Sequence, residues 1–419
     1  MYRTRLVSLA VAHACSCRYY ATQVMFTKHR VRTIPCVGVT RLRRSITNVT
    51  CTSSSSSSKS ITFVRHGQST WNAEGRIQGS SNFSVLTSKG KDQAGMTRDM
   101  VRDMEFDICL RSPLARASET ADIVWAGRTP GLVDVSDLRE IDLYAFEGLL
   151  KAEGVEKFGA QFDKWKKQPE EFEIDGHYPV RELWDRATVV WENVLLRQPH
   201  SKILVVAHNA VNQAILGSAL GFGPHYFRRL LQSNCALSKV SIGEDFKPNT
   251  GRGIEMEFFN QTPKSPLDAK KAVVGLICGP ASIDEEALIT NTIIHMLQKS
   301  NIKRLMFSST GASARLAQKI LDSKNNLSFE THVVETVEEI LSHLKSTDDV
   351  GASIVIHDKK LCQDFMAHSL DLNDGSIFKL SPGGLSVLNM TGGPVKNPIA
   401  ICINHHLHLD EDEPDVDFI

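Results

Sequence analysis

The sequence predicts an α/β fold with a mostly parallel sheet, followed by a second, degenerate α/β repeat of the same kind. Three observations lead there. From residue 60 onward, short β-branched or apolar runs alternate with longer amphipathic ones, the pattern of strands joined by helical crossovers. Two apolar strands, at 61–64 and 203–207, each run into a histidine, His66 and His208. Beyond residue 270 the alternation resumes, and residues 354–357 can be laid over 205–208 almost without gaps, which suggests an internal duplication.

Of 419 residues, 42% are hydrophobic and 23% charged, enough for two or three domains with their own cores and unlike a disordered tether or collagen. The 48 basic and 48 acidic residues cancel, but ten of the basic ones fall within 1–59, which holds no acidic residue. The body therefore carries 38 against 48, which argues against a general binder of nucleic acid or anionic membrane. Residues 1–59 are also hydroxyl-rich and close in the serines Ser53 to Ser58, the composition of an organellar transit peptide; a basic disordered tail is the plainer alternative. Composition does not separate chloroplast from mitochondrion. The apolar stretch 6–14 is short for a secretory signal, and no segment offers the ~18 apolar residues of a membrane helix. Cys15, Cys17, Cys36 and Cys51 belong to this start. Cys109, Cys235, Cys278, Cys362 and Cys402 are widely spaced without a CxxC pair and read as reduced, buried thiols.

In chain order, 61–64 reads as the first strand. Thr87 is a candidate N-cap for a helix to residue 104, 107–110 a second strand, and 114–125 a helix started by Ser112-Pro113. Residues 140–198, with Trp165, Trp184, Trp191 and many charges, read as a helical insertion over one end of the sheet, a lid that excludes water. A third strand, 203–207, is wholly apolar. Residues 261–270, with Pro263 and Pro266, read as a linker between a first domain at 60–260 and a second at 271–419 that ends in an acidic tail.

Chemistry is concentrated where strands end, the place at which open α/β sheets bind ligands. Arg65-His66-Gly67 follows the first strand. A neutral imidazole with one nitrogen tied down as a donor is a good nucleophile, Arg65 supplies a cationic fork, and Gly67 would let backbone N–H groups approach an anion. Arg116 falls in the first turn of the 114–125 helix, near a terminus whose dipole favours anions. His208, followed by Asn209, ends the third strand; alone it reads more readily as a satisfied core or surface histidine. Together these groups make a cationic, donor-rich pocket on an acidic protein.

Arg65-His66-Gly67, the Ser112-Pro113-Leu114-Ala115-Arg116 segment, Leu138-Arg139-Glu140 and the strand ending at His208 resemble, in order and spacing, the histidine phosphatase (phosphoglycerate mutase-like) superfamily over residues 61–260. The resemblance implies a three-layer sandwich and a two-step phosphoryl transfer. His66 would form a phosphohistidine while Arg65, Arg116 and His208 hold the non-bridging oxygens, and Glu140 would protonate the leaving alkoxide and then activate water. Carried over as further pocket positions are Gly67, Asn72, Gln78, Gly79 and Asn209; Glu147 is the rival for the acid role, read as supporting. Within the family the chain looks most like plant enzymes acting on 2-carboxy-D-arabinitol 1-phosphate, which join an organellar presequence to an extra C-terminal domain. That implies a small phosphorylated sugar or sugar acid as partner and the chloroplast stroma as location, with the mitochondrion as alternative. A mutase passing the group to a second hydroxyl, or a module that senses sugar phosphates without turnover, are the competing readings. No cofactor is expected, and no metal-ligand spacing is evident; His405, His406 and His408 before the acidic tail read as solvated C-terminus. The sequence is silent on oligomeric state.

In the second half, setting Gly279 over Gly67 puts Ile277 at Arg65 and Cys278 at His66, with Arg315 a possible echo of Arg116 and His357 matching His208. The insertion carrying Glu140 has no counterpart. This half is therefore expected to be non-catalytic, kept for packing, dimerisation or regulation.

Overall fold

The computed structural model describes residues 58–263, 272–280, 290, 293–294, 302–322, 329–344, 351–390 and 398–405. The expected transit peptide lies almost wholly outside the described residues, as do most of the linker, His406, His408 and the acidic tail; His405, expected as solvated, is instead buried at the end of a strand with its Nε2 2.9 Å from Thr262 O. Twelve strands form one sheet in the order β3-β2-β4-β1-β5-β6-β12-β11-β7-β10-β8-β9. They are β1 Lys59–Arg65, β2 Ile108–Arg111, β3 Leu132–Asp134, β4 Lys202–Ala207, β5 Leu237–Lys247, β6 Arg252–Gln261, β7 Ala272–Cys278, β8 Ile302–Phe307, β9 Glu330–Val333, β10 Gly351–His357, β11 Leu385–Asn389 and β12 Ile399–His405. The expected strands at 61–64, 107–110 and 203–207 are β1, β2 and β4.

Within each half the first four strands pair in parallel and the last two add antiparallel; β6 and β12 then pair antiparallel across the join. The second half repeats this pairing in mirrored order. Both repeats thus share one sheet and one compact unit.

Helices cover both faces. On one lie α2 Ser88–Met100 and α3 Ala115–Val124, whose Ala94, Ala121 and Val124, with Val101 just after α2, pack on Val64, Cys109, Leu204 and Val206. Thr87 caps α2 as expected, its side chain accepting from the Gly90 N–H. On the other face lie α6 Pro179–Val189, running into a π-helical turn Val190–Leu195, and α7 Asn209–Ala219. These bury Leu183, Trp184, Trp191 and Ile215 against Ile61, Phe63 and Val205. The result is a three-layer sandwich.

The insertion is therefore not simply a lid. Trp184 and Trp191 donate their indole N–H groups to the carbonyls of Phe222 and Ile215 at 2.8 Å each, inside the core. Within the insertion, α4 Lys151–Phe158 and α5 Ala160–Lys167 are largely exposed.

Strand register corrects the internal alignment by one residue. Arg65 faces Ala207 as Cys278 faces His357, Val64 faces Leu237 as Ile277 faces Leu385, and Arg111 pairs with Val206 as Phe307 pairs with Ile356. His208 stands at the N-cap position of α7, without capping it by its side chain, where Asp358 stands before the helix Lys359–Leu370. Buried positions 117, 120, 121 and 124 of α3 match 313, 316, 317 and 320 of α8 Gly311–Asp322. Cys278 thus replaces Arg65, Gly279 replaces His66, Ala312 replaces Arg116 and Asp358 replaces His208, while Arg315 is no echo of Arg116. Unbroken apolar strands slide past one another in a sequence comparison; only hydrogen bonding fixes their register. Cys278 is buried, which pushes its thiol up to about 11 and leaves it a poor nucleophile.

Candidate active site

β1 lies between β4 and β5 with its middle residues buried, so the strand is fixed and delivers Arg65 and His66 at its C-terminal end. The His66 Nδ1 lies 2.7 Å from its neighbour Gly67's carbonyl oxygen. That oxygen can only accept, so Nδ1 carries the proton and Nε2 keeps its lone pair. Burial, then the Arg116 and Arg65 charges, hold the imidazole well below its ordinary pKa of 6.5. It is neutral and poised as a nucleophile.

β4 ends level with β1, Ala207 paired with Arg65, and so brings His208 alongside His66, ring centroids 5.0 Å apart in a T-shaped pair. Burial foremost, with the Arg116 charge next, also holds His208 far below its usual range. Its Nε2 lies 2.8 Å from the Ser112 hydroxyl. Ser112 Oγ accepts the Leu114 N–H at 3.3 Å, so its own proton is available for Nε2. That puts the His208 proton on Nδ1, which is buried and has no protein partner.

The guanidinium groups are held from behind. Arg65 donates Nη1 to the Gln232 carbonyl at 2.6 Å. Arg116, wholly buried in the first turn of α3, donates Nη1 to Ser81 O at 2.7 Å and Nη2 to Gly79 O at 2.9 Å. In both, Nε is buried without a partner. Burial lowers each to about 10, which still leaves both charged at neutral pH. Three unpaired buried donors, Arg65 Nε, Arg116 Nε and His208 Nδ1, thus belong to the groups around one nucleophilic nitrogen. Buried donors without acceptors are costly, and an anion with several oxygens removes that cost.

Glu140 reaches the first turn of α7, immediately after His208. Its Oε1 accepts from Val211 N and its own neighbour Ile141 N, both at 3.0 Å, and its Oε2 from Ala210 N at 3.1 Å. Arg186 from α6 fixes the Glu140 carbonyl at 2.9 Å. Glu147 is placed differently. Its Oε1 accepts from Ser80 N at 2.9 Å and Leu143 N at 3.0 Å, bracing the loop whose carbonyls hold Arg116. Gly79 turns that loop with φ +55°, and a Cβ there would come within 2.2 Å of the Glu147 carboxylate.

The secondary positions support this centre more than they line it. The Gly67 N–H is not open to an anion as expected, because it donates to Thr120 Oγ1 at 3.1 Å. Gly67 is required by contact instead: a Cβ would lie 2.3 Å from the Gly90 carbonyl of α2. Gly79 likewise contributes its carbonyl to Arg116. Asn72 Oδ1 takes part in the capping box of α1 Thr70–Glu74, and Gln78 Oε1 accepts from Ser69 Oγ at 3.0 Å. Asn209 Oδ1 accepts from Gln232 N at 3.1 Å and Gln213 Nε2 at 3.2 Å.

Sequence reasoning missed the loop 232–235. Besides the Gln232 carbonyl on Arg65, Asn234 Nδ2 donates to His66 O at 3.0 Å and Cys235 N to Arg65 O at 3.0 Å. Nothing in a stretch about 170 residues from the nucleophile marks it as a neighbour. The functional part of Ser112 was also hidden, since serine before proline reads as a helix start. No group of three or more metal-ligating side chains and no helix fit to cross a membrane occurs among the described residues.

The profile of the histidine phosphatase superfamily (branch 1) matches residues 61–249. The Arabidopsis thaliana protein named "Probable 2-carboxy-D-arabinitol-1-phosphatase" is 42% identical over 75% of this chain and 69% of its own length. The Triticum aestivum 2-carboxy-D-arabinitol-1-phosphatase is 55% identical over 51% of this chain, which spans 43% of that enzyme. Among solved structures, the alpha-ribazole phosphatase of Shigella flexneri aligns with 48% of this chain and 96% of its own, at 19% identity and a TM-score of 0.44. The profile match covers every strand and loop that builds the His66 centre, and the Arabidopsis relative extends the likeness well beyond it: the chain belongs to the histidine phosphatase superfamily.

Proposed function

We propose that the protein is a phosphomonoesterase that removes phosphate from a small sugar-acid phosphate, 2-carboxy-D-arabinitol 1-phosphate being the substrate favoured by the relatives' names, through a phosphohistidine intermediate. The observation that carries this reading is the set of three buried, unpartnered donors beside a neutral histidine with a free Nε2 lone pair. In the first step Nε2 attacks phosphorus in line as the ester oxygen leaves, and Arg65, Arg116 and His208 Nδ1–H take the non-bridging oxygens. Glu140 gives its proton to the departing alkoxide. In the second, Glu140 takes a proton from water, the P–N bond breaks, and His66 is restored neutral. No single group suffices for so slow an uncatalysed reaction, which needs accelerations of up to ~10²¹-fold, so the cluster must be preassembled.

The basic, acid-free residues 1–59 support an organellar address, which we propose to be the chloroplast stroma. A fluorescent fusion of that segment collecting in mitochondria of leaf cells overturns this part. The function is tested by phosphate release from a panel of sugar phosphates, with and without His66→Ala. Release by the native protein alone, with an alkali-stable, acid-labile phosphoprotein after quenching, is expected. Equal slow release by both proteins refutes the enzymatic reading, and transfer to a second hydroxyl shows a mutase.

A further inference from the structure

The two repeats meet across β6 and β12, and each side of the join carries the same device. Asn260 and Asn404 are both buried and both left-handed, with φ +52° and +51°. Each donates Nδ2 across the join, Asn260 to Ile401 O at 2.6 Å and Asn404 to Glu257 O at 2.7 Å. Each accepts on Oδ1 from a backbone N–H of its own half, Ser233 at 2.7 Å and Ser381 at 2.8 Å. Each donates its backbone N–H to a serine hydroxyl, Ser238 and Ser386, at 3.0 Å. The clasps correspond residue for residue under the same strand register that relates the halves.

Their consequences differ. Ser381 belongs to the half in which Cys278, Gly279, Ala312 and Asp358 stand at the reactive positions. Ser233 adjoins Gln232, whose carbonyl holds Arg65, and Asn234, which holds His66 O. The second half also holds the chain leading into this loop: Ala400 donates its N–H to Arg229 O at 2.9 Å. We infer that Asn260 is a positioning residue for the phosphate site, and that the degenerate half braces the loop that orients Arg65 and His66, through Ile401 on Asn260 and Ala400 on the chain entering that loop. This rests on the reading of that site as a phosphate centre.

The symmetry supplies its own control. Asn260→Gly and Asn404→Gly, made in the full chain, keep the left-handed backbone and remove the clasp, and Asn404→Gly also removes a bond to Lys379 O at 3.0 Å, so both should lower thermal stability, Asn404→Gly at least as much. Only Asn260→Gly should weaken binding of inorganic phosphate, by about tenfold, measured by titration calorimetry, with KM rising more than kcat falls. Equal phosphate affinity in the two variants overturns the inference while the site reading stands. No phosphate binding by the native protein instead removes the site reading itself. Should Asn260→Gly not fold, amide exchange in the native protein decides: phosphate should slow exchange at Ser233 and leave Ser381 unchanged, and an equal effect on both refutes the coupling.

Discussion

Ser112→Ala isolates one proton in this centre. The Ser112 hydroxyl fixes His208 with its proton on Nδ1, the only imidazole position able to donate to a bound phosphoryl oxygen. Removing the hydroxyl leaves Nε2 buried without a partner, at a cost of about 1–3 kcal/mol, and the ring escapes that cost by moving its proton to the other nitrogen or by rotating. Either response takes the donor away from phosphate. At 1.36 kcal/mol per factor of ten, kcat/KM should fall about 5- to 150-fold, most of it in kcat, because the oxygen charge grows in the transition state. Steady-state release from a chromogenic phosphomonoester measures this directly. The effect must also run through His208, so Ser112→Ala added to His208→Ala should change little further. A Ser112→Ala enzyme within twofold of the native rate, or a full second loss in the His208→Ala background, refutes the tautomer argument.

Other expectations follow from the same geometry. Arg116→Lys cannot span Gly79 O, Ser81 O and a phosphate oxygen together, and should lower kcat/KM about 10²-fold or more in the same assay. Glu140→Gln should cost 10² to 10⁴ in kcat, whereas Glu147→Gln, which loosens only the loop under Arg116, should cost less than tenfold; reversed magnitudes would exchange their roles. Gly67→Ala pushes a Cβ onto the Gly90 carbonyl and should remove about 1–3 kcal/mol of stability by urea unfolding, with activity falling as β1 and α2 separate. Because His66 and His208 titrate well below 6.5, the unfolded chain binds more protons than the folded one beneath that pH. The stability linked to their neutral burial is complete above pH 6.5 and declines as pH drops toward the depressed values, and replacing both by Asn should flatten the pH dependence of the urea midpoint.

Much of the centre was legible because its parts are local. Arg65-His66 and His208 end apolar strands that no other pattern explains, and Arg116 follows a proline turn that starts α3. What the sequence hid was reciprocal. Gly67 read as an anion-facing glycine and Gly79 as a pocket position by resemblance, but their requirement is set by Gly90 and Glu147, on elements that only folding brings within contact. The insertion at 140–198 read as a lid because its tryptophans and charges carry no sign of which face they cover; α6 and the π-helical turn after it bury one tryptophan each against the sheet.

By itself the sequence determined which groups carry the chemistry and that the pattern repeats, since side-chain type and hydrophobic period are written along the chain. The tertiary structure decided the register of the repeat, the protonated nitrogen of each histidine and the joining of both halves through β6 and β12. The register turns on a strand slip of a single residue, the His208 proton on a hydroxyl 96 positions away, the His66 proton on the direction of the next carbonyl, and the join on hydrogen bonds between residues more than a hundred positions apart; none of these leaves a trace in local composition.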